Sequence, residues 1–285
     1  MRTIIISDIK SNSNSIIAYG LNLAKFLESD VEIVHVIDPR TEHGVSGSVA
    51  DSQSIAPGGT LSHDKIVERE KKLTQNALDR ILSREASRLN YPLKINTIIE
   101  EDSIENKLKE LTAKYTSSII VGSLETDGYI FKNHDELLST LKNIDSISVL
   151  VPPEYEFRLY EKVLITTDFS SEDFEIYTGV FNFLNRFETR VTAIDLKEKD
   201  YADWKMRSQG WLKTARDVMP ELQVTANVLD MNKGEDSMLN YVRKNDPDLV
   251  VIFKPKKNFL KGLLQKTPEH KILEYSGKPV MLYPG

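Results

Sequence analysis

The chain has 285 residues, 40% hydrophobic and 28% charged, with a formal net charge of −6 and no cysteine. At about 150 residues per domain that length predicts two domains, with apolar content enough for two cores, which excludes a disordered chain. The lack of cysteine excludes disulfides, thiolate metal sites and cysteine nucleophiles, and the acidic balance argues against nucleic-acid binding, which runs on clustered Lys and Arg. No apolar run approaches the roughly 20 residues of a membrane span. The opening Met1–Asp8 reads as a strand start without the apolar stretch of a signal peptide, so the expectation is a cytoplasmic protein with no membrane association.

In chain order, Thr3 to Ile6 is a continuous β-branched run, which suits a parallel strand covered on both faces. Ile17, Leu21, Ala24 and Leu27 follow at three- and four-residue spacing, one stripe of a helix. Val31 to Ile37 is a second strand, and residues 39–62, rich in Pro, Gly, Ser and Asp, read as a long loop that is either functional or mobile. A helix is predicted from near Asp64, with Ile66, Leu73, Ala77, Ile81 and Leu89 towards the core. Strands Ile95 to Ile99 and Ser118 to Val121 flank a helix carrying Ile104, Leu108, Leu111 and Tyr115. A helix around Leu137 to Ile144 leads to the strand Ser148 to Val151, and Pro152-Pro153-Glu154-Tyr155 marks a boundary.

The plan then repeats. Sliding the sequence by about 160 residues lays Arg2–Asp8 on Lys162–Asp168 and continues without a gap to Val36 on Leu196, with Ile5, Asp8, Ser11, Ile16, Asn22, Glu28 and Val31 identical. Strands are predicted at Val163 to Thr166, Val191 to Leu196, Val224 to Leu229, Leu249 to Ile252 and Val280 to Tyr283, with helices near 172–187, 200–217, 235–244 and 268–275. The alternating order implies an α/β fold: two tandem doubly wound domains, residues 1–153 and a shorter 156–285, each a parallel sheet with helices on both faces.

An apolar strand ending in Asp, the run Thr167-Asp168-Phe169-Ser170, the strand Ile33-Val34-His35-Val36-Ile37-Asp38, the exit Ile119-Ile120-Val121-Gly122-Ser123 and the closing Lys278-Pro279-Val280-Met281-Leu282 together resemble the universal stress protein family. The resemblance covers nearly the whole chain, once per half. It implies five parallel strands per half, pseudo-two-fold pairing of the halves, a stress-response setting, and a nucleotide site at the carboxyl ends of the strands. The phosphate part of that site is a glycine loop after the fourth strand, where backbone N–H groups form an anion nest.

Tested against that spacing, the first half offers Asp8, Val36 and Gly122 as matching positions, but Glu125 and Asp135-Glu136 replace the later glycines and hydroxyl. Three carboxylates then stand where phosphates should bind, so ATP is not expected there; Gly128 could restore only the turn. In the second half Phe253 replaces the first glycine, and Lys256 and Lys266-Thr267 stand at the later positions among Lys254, Lys257, Lys261 and Lys271. Two readings stay open there: a solvated lysine-rich surface, or a site for ATP or another small anion built from Asp168, Lys256, Lys266 and Thr267.

No Gly-x-Ser-x-Gly or Gly-x-x-x-x-Gly-Lys-Ser/Thr motif occurs. Asp8 and Asp168 fit caps of the following turn, His43 and His63 lack fixed metal-ligand spacing, and His35 fits a strand interior. The leading expectation is a non-catalytic protein acting by protein interaction or ligand-gated regulation, as a monomer with an internal pseudo-dimer or as a loose homodimer. The alternative is an ATP- or phosphometabolite-binding protein, or an ATP-using hydrolase or transferase, in which Asp168 positions the nucleotide and Lys256 or Lys266 neutralises phosphates.

Overall fold

The computed structural model describes residues 1–8, 13–37, 63–89, 92–126, 130–167, 169, 174–195, 201–229, 237–253, 273 and 275–284. The chain divides into two compact units, Met1–Ser146 and Ile147–Gly285. Among the described residues, no helix is long and apolar enough to cross a membrane.

The first unit runs β1 (Arg2–Ile6), α1 (Ser13–Phe26), β2 (Asp30–Ile37), α2 (His63–Leu89), β3 (Ile95–Glu101), α3 (Ile104–Lys114), β4 (Ser118–Ser123) and α4 (His134–Lys142). Its strands lie in the order β3-β2-β1-β4, all parallel. Right-handed crossovers from β1 through β3 move one way across the sheet and the return to β4 moves the other way, which puts α1 and α2 on one face and α3 and α4 on the opposite one. The packing of α1 on α2 and of α3 on α4 agrees. Ile4, Ile5, Val31, Ile33, Val34, Ile120 and Val121 are fully buried between these layers. Each such side chain stabilises the fold by about 1.5–3 kcal/mol relative to exposure.

The buried face of α2 differs from the expected one. Ile66 and Leu73 are 40% and 52% exposed, while Val67, Thr74, Leu78, Glu85 and Leu89 face inward. The helix is polar enough that two neighbouring stripes compete, and the better-packed one turns inward although it carries a carboxylate. Glu85 is tolerated there because Arg84 Nε lies 2.7 Å and Arg88 3.6 Å from its Oε1.

The second unit runs β5 (Ile147–Val151), β6 (Lys162–Thr167), α5 (Phe174–Leu184), a 3-10 turn (Asn185–Phe187), β7 (Arg190–Asp195), α6 (Tyr201–Val218), β8 (Gln223–Val228), α7 (Ser237–Asn245), β9 (Leu249–Phe253) and β10 (Val280–Tyr283). The predicted helix at 268–275 falls mostly outside the described residues. The strand order is β5-β10-β9-β6-β7-β8. Five of these strands are parallel, and β5 adds antiparallel to β10, with Val280 opposite Leu150 and Leu282 opposite Ser148. The fifth apolar run of the first repeat therefore groups with the second unit, where it covers the backbone edge that β10 would otherwise expose.

The repeat is visible in register as well as in sequence. Arg2 stands beside Asp30 and Ile4 beside Glu32 in the first unit, while Lys162 stands beside Arg190 and Leu164 beside Thr192 in the second. Glu28 and Glu188, identical in the alignment, both adopt left-handed backbone, at φ 50° and 51°. The next residues, Ser29 and Thr189, are buried and turn their hydroxyls inward, onto Thr3 Oγ1 at 2.5 Å and onto the Tyr160 carbonyl at 2.6 Å.

Candidate functional site

Open α/β sheets bind ligands beyond the carboxyl ends of their strands, where strand order reverses. In the first unit that point lies between β1 and β4, so Ser7 and Asp8 leaving β1 come beside Gly122 and Ser123 closing β4. Ser7 is fully buried: its N–H donates to the Val34 carbonyl at 2.8 Å, and its carbonyl accepts from His35 Nδ1 at 2.8 Å. A carbonyl only accepts, so His35 carries a proton on Nδ1. Buried at 4% exposure, His35 ties the exit of β1 to β2, the structural task its sequence context implied.

Beyond β4 the loop is held down by its own side chains. Ser123 Oγ accepts the Glu125 N–H at 2.9 Å, and Leu124, Thr126, Ile130 and Phe131 are buried. α4 then opens on an Asn133 cap with extended backbone: Asn133 Oδ1 accepts the Glu136 N–H at 2.9 Å, and Glu136 Oε2 accepts the Lys132 N–H at 2.8 Å. This is a reciprocal cap of the Asn-x-x-Glu kind, with the carboxylate reaching one residue further back than usual.

A helix N-terminus is where a phosphate would be held. Here the Asn133 side chain takes one of those donors, the Glu136 N–H, and the Glu136 carboxylate takes the Lys132 N–H just before the helix, with Asp135 in the same first turn and Glu125 on the loop before it. An incoming triphosphate would have to break a cap worth about 1 kcal/mol and approach three carboxylates.

The second unit fills the equivalent place differently. Its strand order reverses between β6 and β9. At the end of β6 the Thr167 hydroxyl hydrogen-bonds Tyr177 Oη and also accepts the Phe169 N–H at 2.9 Å. Phe169 has left-handed backbone, φ 53°, and is buried at 3% exposure. Its ring centroid lies 5.4 Å from that of Trp211 and 6.3 Å from that of Trp204. Tyr177 stands 4.8 Å from Phe253 and 5.2 Å from Trp211, Phe181 stands 5.7 Å from Trp211, and Phe253 stands 6.1 Å from Tyr283. All these pairs are edge-on, at 69° to 88°, the arrangement aromatic quadrupoles favour.

Aromatic side chains from the β6 exit, α5, α6, β9 and β10 thus converge at the carboxyl end of the sheet. Phe253, at the position of the first nest glycine, is a working member of this cluster through its contact with Tyr177. Backbone cannot approach a ligand closely there without evicting a packed ring.

The sequence-predicted residues are distributed accordingly. Asp8, half-buried, and Gly122, buried, lie together at the first switch point. Val36 is 1% exposed within β2, its backbone opposite Glu100 of β3, so its side chain belongs to the core. Asp168, Lys256, Lys266 and Thr267 lie outside the described residues, as do Gly128, His43 and the loop at 39–62. His63 Nε2 sits 3.0 Å from Glu101 Oε1 on the surface, and no cluster of three metal-ligating side chains occurs among the described residues.

Two features escaped the sequence reading. The α4 cap has a local signal, Asn133-His134-Asp135-Glu136, whose acids read in sequence as misplaced charge. The aromatic cluster has only short-range pairs as its signal, Tyr177 and Phe181 on α5 and Trp204 and Trp211 on α6, because its elements come from distant segments.

No protein-family model and no curated protein matches the sequence. Solved structures do. A universal stress protein from Archaeoglobus fulgidus aligns over 99% of this chain and 96% of its own, with a TM-score of 0.66 at 10% identity. A protein assigned to the universal stress proteins from Pseudomonas aeruginosa aligns over 99% and 92%, with a TM-score of 0.57 at 12% identity. The cytoplasmic domain of a prokaryotic cation chloride cotransporter aligns over 99% and 93%, with a TM-score of 0.53 at 9% identity. These are likenesses of fold, and they span both units.

Proposed function

We propose that this chain, which has the universal-stress-protein fold over nearly its whole length, is a non-catalytic regulatory module in the cytoplasm that acts in stress response through a protein partner and does not use ATP at its first unit. One observation carries the reading. At the start of α4, where the family resemblance would put a phosphate, the chain caps itself, with Glu136 on the Lys132 N–H and Asn133 on the Glu136 N–H. The aromatic packing around Phe253 supports it for the second unit. The cotransporter likeness fits a fold that can serve as the cytoplasmic part of a larger assembly.

The test is calorimetric titration of the purified, nucleotide-stripped chain with Mg·ATP, beside mass analysis of anything released on denaturation. The expected result is no binding heat that Asp8→Asn or Lys266→Glu removes, and no co-purified nucleotide. One equivalent of ATP bound and then lost in Asp8→Asn would overturn the reading for the first unit. Binding abolished by Lys266→Glu and untouched by Asp8→Asn would instead establish the phosphorylated-ligand alternative built on Asp168, Lys256, Lys266 and Thr267.

A further inference from the structure

The two repeats treat one corner of their sheets in opposite ways. At the amino ends of β1 and β2, Arg2 Nη1 lies 3.0 Å from Asp30 Oδ2 and Arg2 Nε lies 3.9 Å from Glu32. Glu32, 4% exposed, also accepts from Tyr115 Oη at 2.7 Å and Asn96 Nδ2 at 2.7 Å, and the Arg2 guanidinium stands 4.6 Å above the Tyr115 ring. The Tyr115 phenol is held above its ordinary pKa, first by its bond to Glu32 and then by burial, and so stays a donor. Two cations, Arg2 and Lys114, with Lys114 Nζ 5.6 Å from the Tyr115 ring, two carboxylates and that tyrosine close this corner on itself.

Strand register carries each of these positions into the second unit. Arg2 becomes Lys162, Asp30 becomes Arg190, Glu32 becomes Thr192 and Asn96 becomes Thr225. Both acids are gone and a second cation has replaced one of them. Counting back from the strand that pairs with β1 or β6, Tyr115 corresponds to Asn245 and Lys114 to Lys244. Asn245 is smaller than tyrosine and turns its amide onto the Tyr241 carbonyl at 2.9 Å. In place of the closed corner there is an open groove of about 430 Å³, lined by Lys162, Arg190, Lys244, Thr192, Thr225 and Gln223 among others.

Lys162, Arg190 and Lys244 come from three elements, β6, β7 and α7, and none of them has an ion-pair partner among the described residues. No acid is among the residues that line the groove, but Asp246 and Asp248 flank Pro247 beside it, and Asp246 feels the Lys162 charge. Asp248 Oδ2 accepts the Lys162 backbone N–H at 2.9 Å, and Asp246 is tied to the Lys278 ammonium. Hydroxyls also converge: Thr192 Oγ1 and Thr225 Oγ1 are 3.3 Å apart, and Tyr241 Oη accepts from Asn227 at 3.0 Å.

We infer that this groove, formed by Lys162, Arg190 and Lys244 at the amino ends of β6 and β7, is a binding site for a small phosphate anion carrying two or more charges. Three cations converging without internal acids favour a polyvalent anion over a neutral ligand or a monoanion. The neighbouring hydroxyls and amides supply neutral donors for further phosphate oxygens. The groove lies at the opposite ends of the strands from the switch point, so it stands or falls independently of whether ATP binds there.

The probe is inorganic pyrophosphate, titrated calorimetrically into the full chain at about 50 mM salt, where the Debye length of roughly 14 Å keeps charge effects measurable. Arg190→Asp restores the first repeat's acid. Lys244→Glu changes an exposed helix position and serves as the second variant in case Arg190→Asp fails to fold. The expected result is about one equivalent bound, weakened tenfold or more by each substitution, with Lys71→Glu on α2 leaving affinity within twofold. Absence of pyrophosphate binding at millimolar concentration would overturn the proposal. So would loss confined to Lys266→Glu, or equal weakening by Lys71→Glu, since either would place the anion elsewhere or reduce the effect to net charge.

Discussion

Gly179 on α5 gives a direct test of whether the aromatic cluster fills the second unit's carboxyl end as tightly as its geometry implies. A Cβ built on Gly179 would overlap the Tyr283 hydroxyl and stand 3.1 Å from Cζ. The ring has little room to retreat, because Phe253 lies 6.1 Å away on a neighbouring strand and itself contacts Tyr177 at 4.8 Å. Overpacking of this kind costs about 1–3 kcal/mol, and a direct overlap with an atom on a rigid ring belongs at the upper end. Alanine in a helix interior returns about 1 kcal/mol relative to glycine.

Gly179→Ala should therefore destabilise the unit by about 2 kcal/mol, a fall in Tm of roughly 6 °C for a unit of this size. In a Tyr283→Phe background the hydroxyl overlap is relieved while Cζ stays 3.1 Å from the new Cβ, so the same change should cost about 0–1 kcal/mol. The double-mutant cycle should then show about 1–2 kcal/mol of coupling, within the range for residues in contact. Urea unfolding followed by tryptophan fluorescence is the assay, because both tryptophans, Trp204 and Trp211, lie in the second unit and report on it alone. Coupling below about 0.5 kcal/mol would show that Tyr283 does not pack against α5 as described, and would remove the argument that the cluster blocks a ligand there.

Asn133→Ala should lower the stability of the first unit by about 1 kcal/mol in urea unfolding followed by far-UV circular dichroism, since it removes the acceptor for the Glu136 N–H; no change would mean that the α4 terminus is not capped and is open to anions. Acid should destabilise the protein through two carboxylates. Glu105 is held below its ordinary value chiefly by its bond to Lys109 at 2.6 Å, and Asp246 by its bond to Lys278. A folded pKa depressed in this way contributes stability that is present above the unfolded value and is lost as pH falls through the folded one, so the window lies below the ordinary values of 4.5 and 3.8. Urea midpoints measured from pH 6 to pH 3 should fall less steeply in Lys109→Ala/Lys278→Ala than in the unmodified chain, and identical slopes would remove these two pairs from the account.

Much of the architecture was legible in the sequence because it rests on short-range pattern. Apolar β-branched runs predicted the strands, and the 160-residue offset predicted a register that β1–β2 and β6–β7 reproduce pair for pair. The alternation of strand and helix fixed a parallel α/β fold, since a parallel strand needs a crossover and a right-handed crossover needs a helix to cover the sheet. The acidic replacements at Glu125, Asp135 and Glu136 speak against a triphosphate in the first repeat by charge alone, and Glu136 also caps α4.

Tertiary structure decided what depends on groups brought together from far apart. Which stripe of α2 turns inward was settled by the surfaces of α1, β2 and β3 that it meets, because the inward stripe, with Thr74 and Glu85, is the less apolar of the two and only packing selects it. The fifth strand of the first repeat pairs with β10 because the edge it covers is made by the end of the chain. Phe253 read as a missing glycine in one dimension and is a packed ring in three, since its neighbours Tyr177 and Tyr283 come from α5 and β10. Lys162, Arg190 and Lys244 are ordinary surface cations in sequence, and they become one groove only because parallel register sets the first two side by side and α7 returns the third to the same end of the sheet.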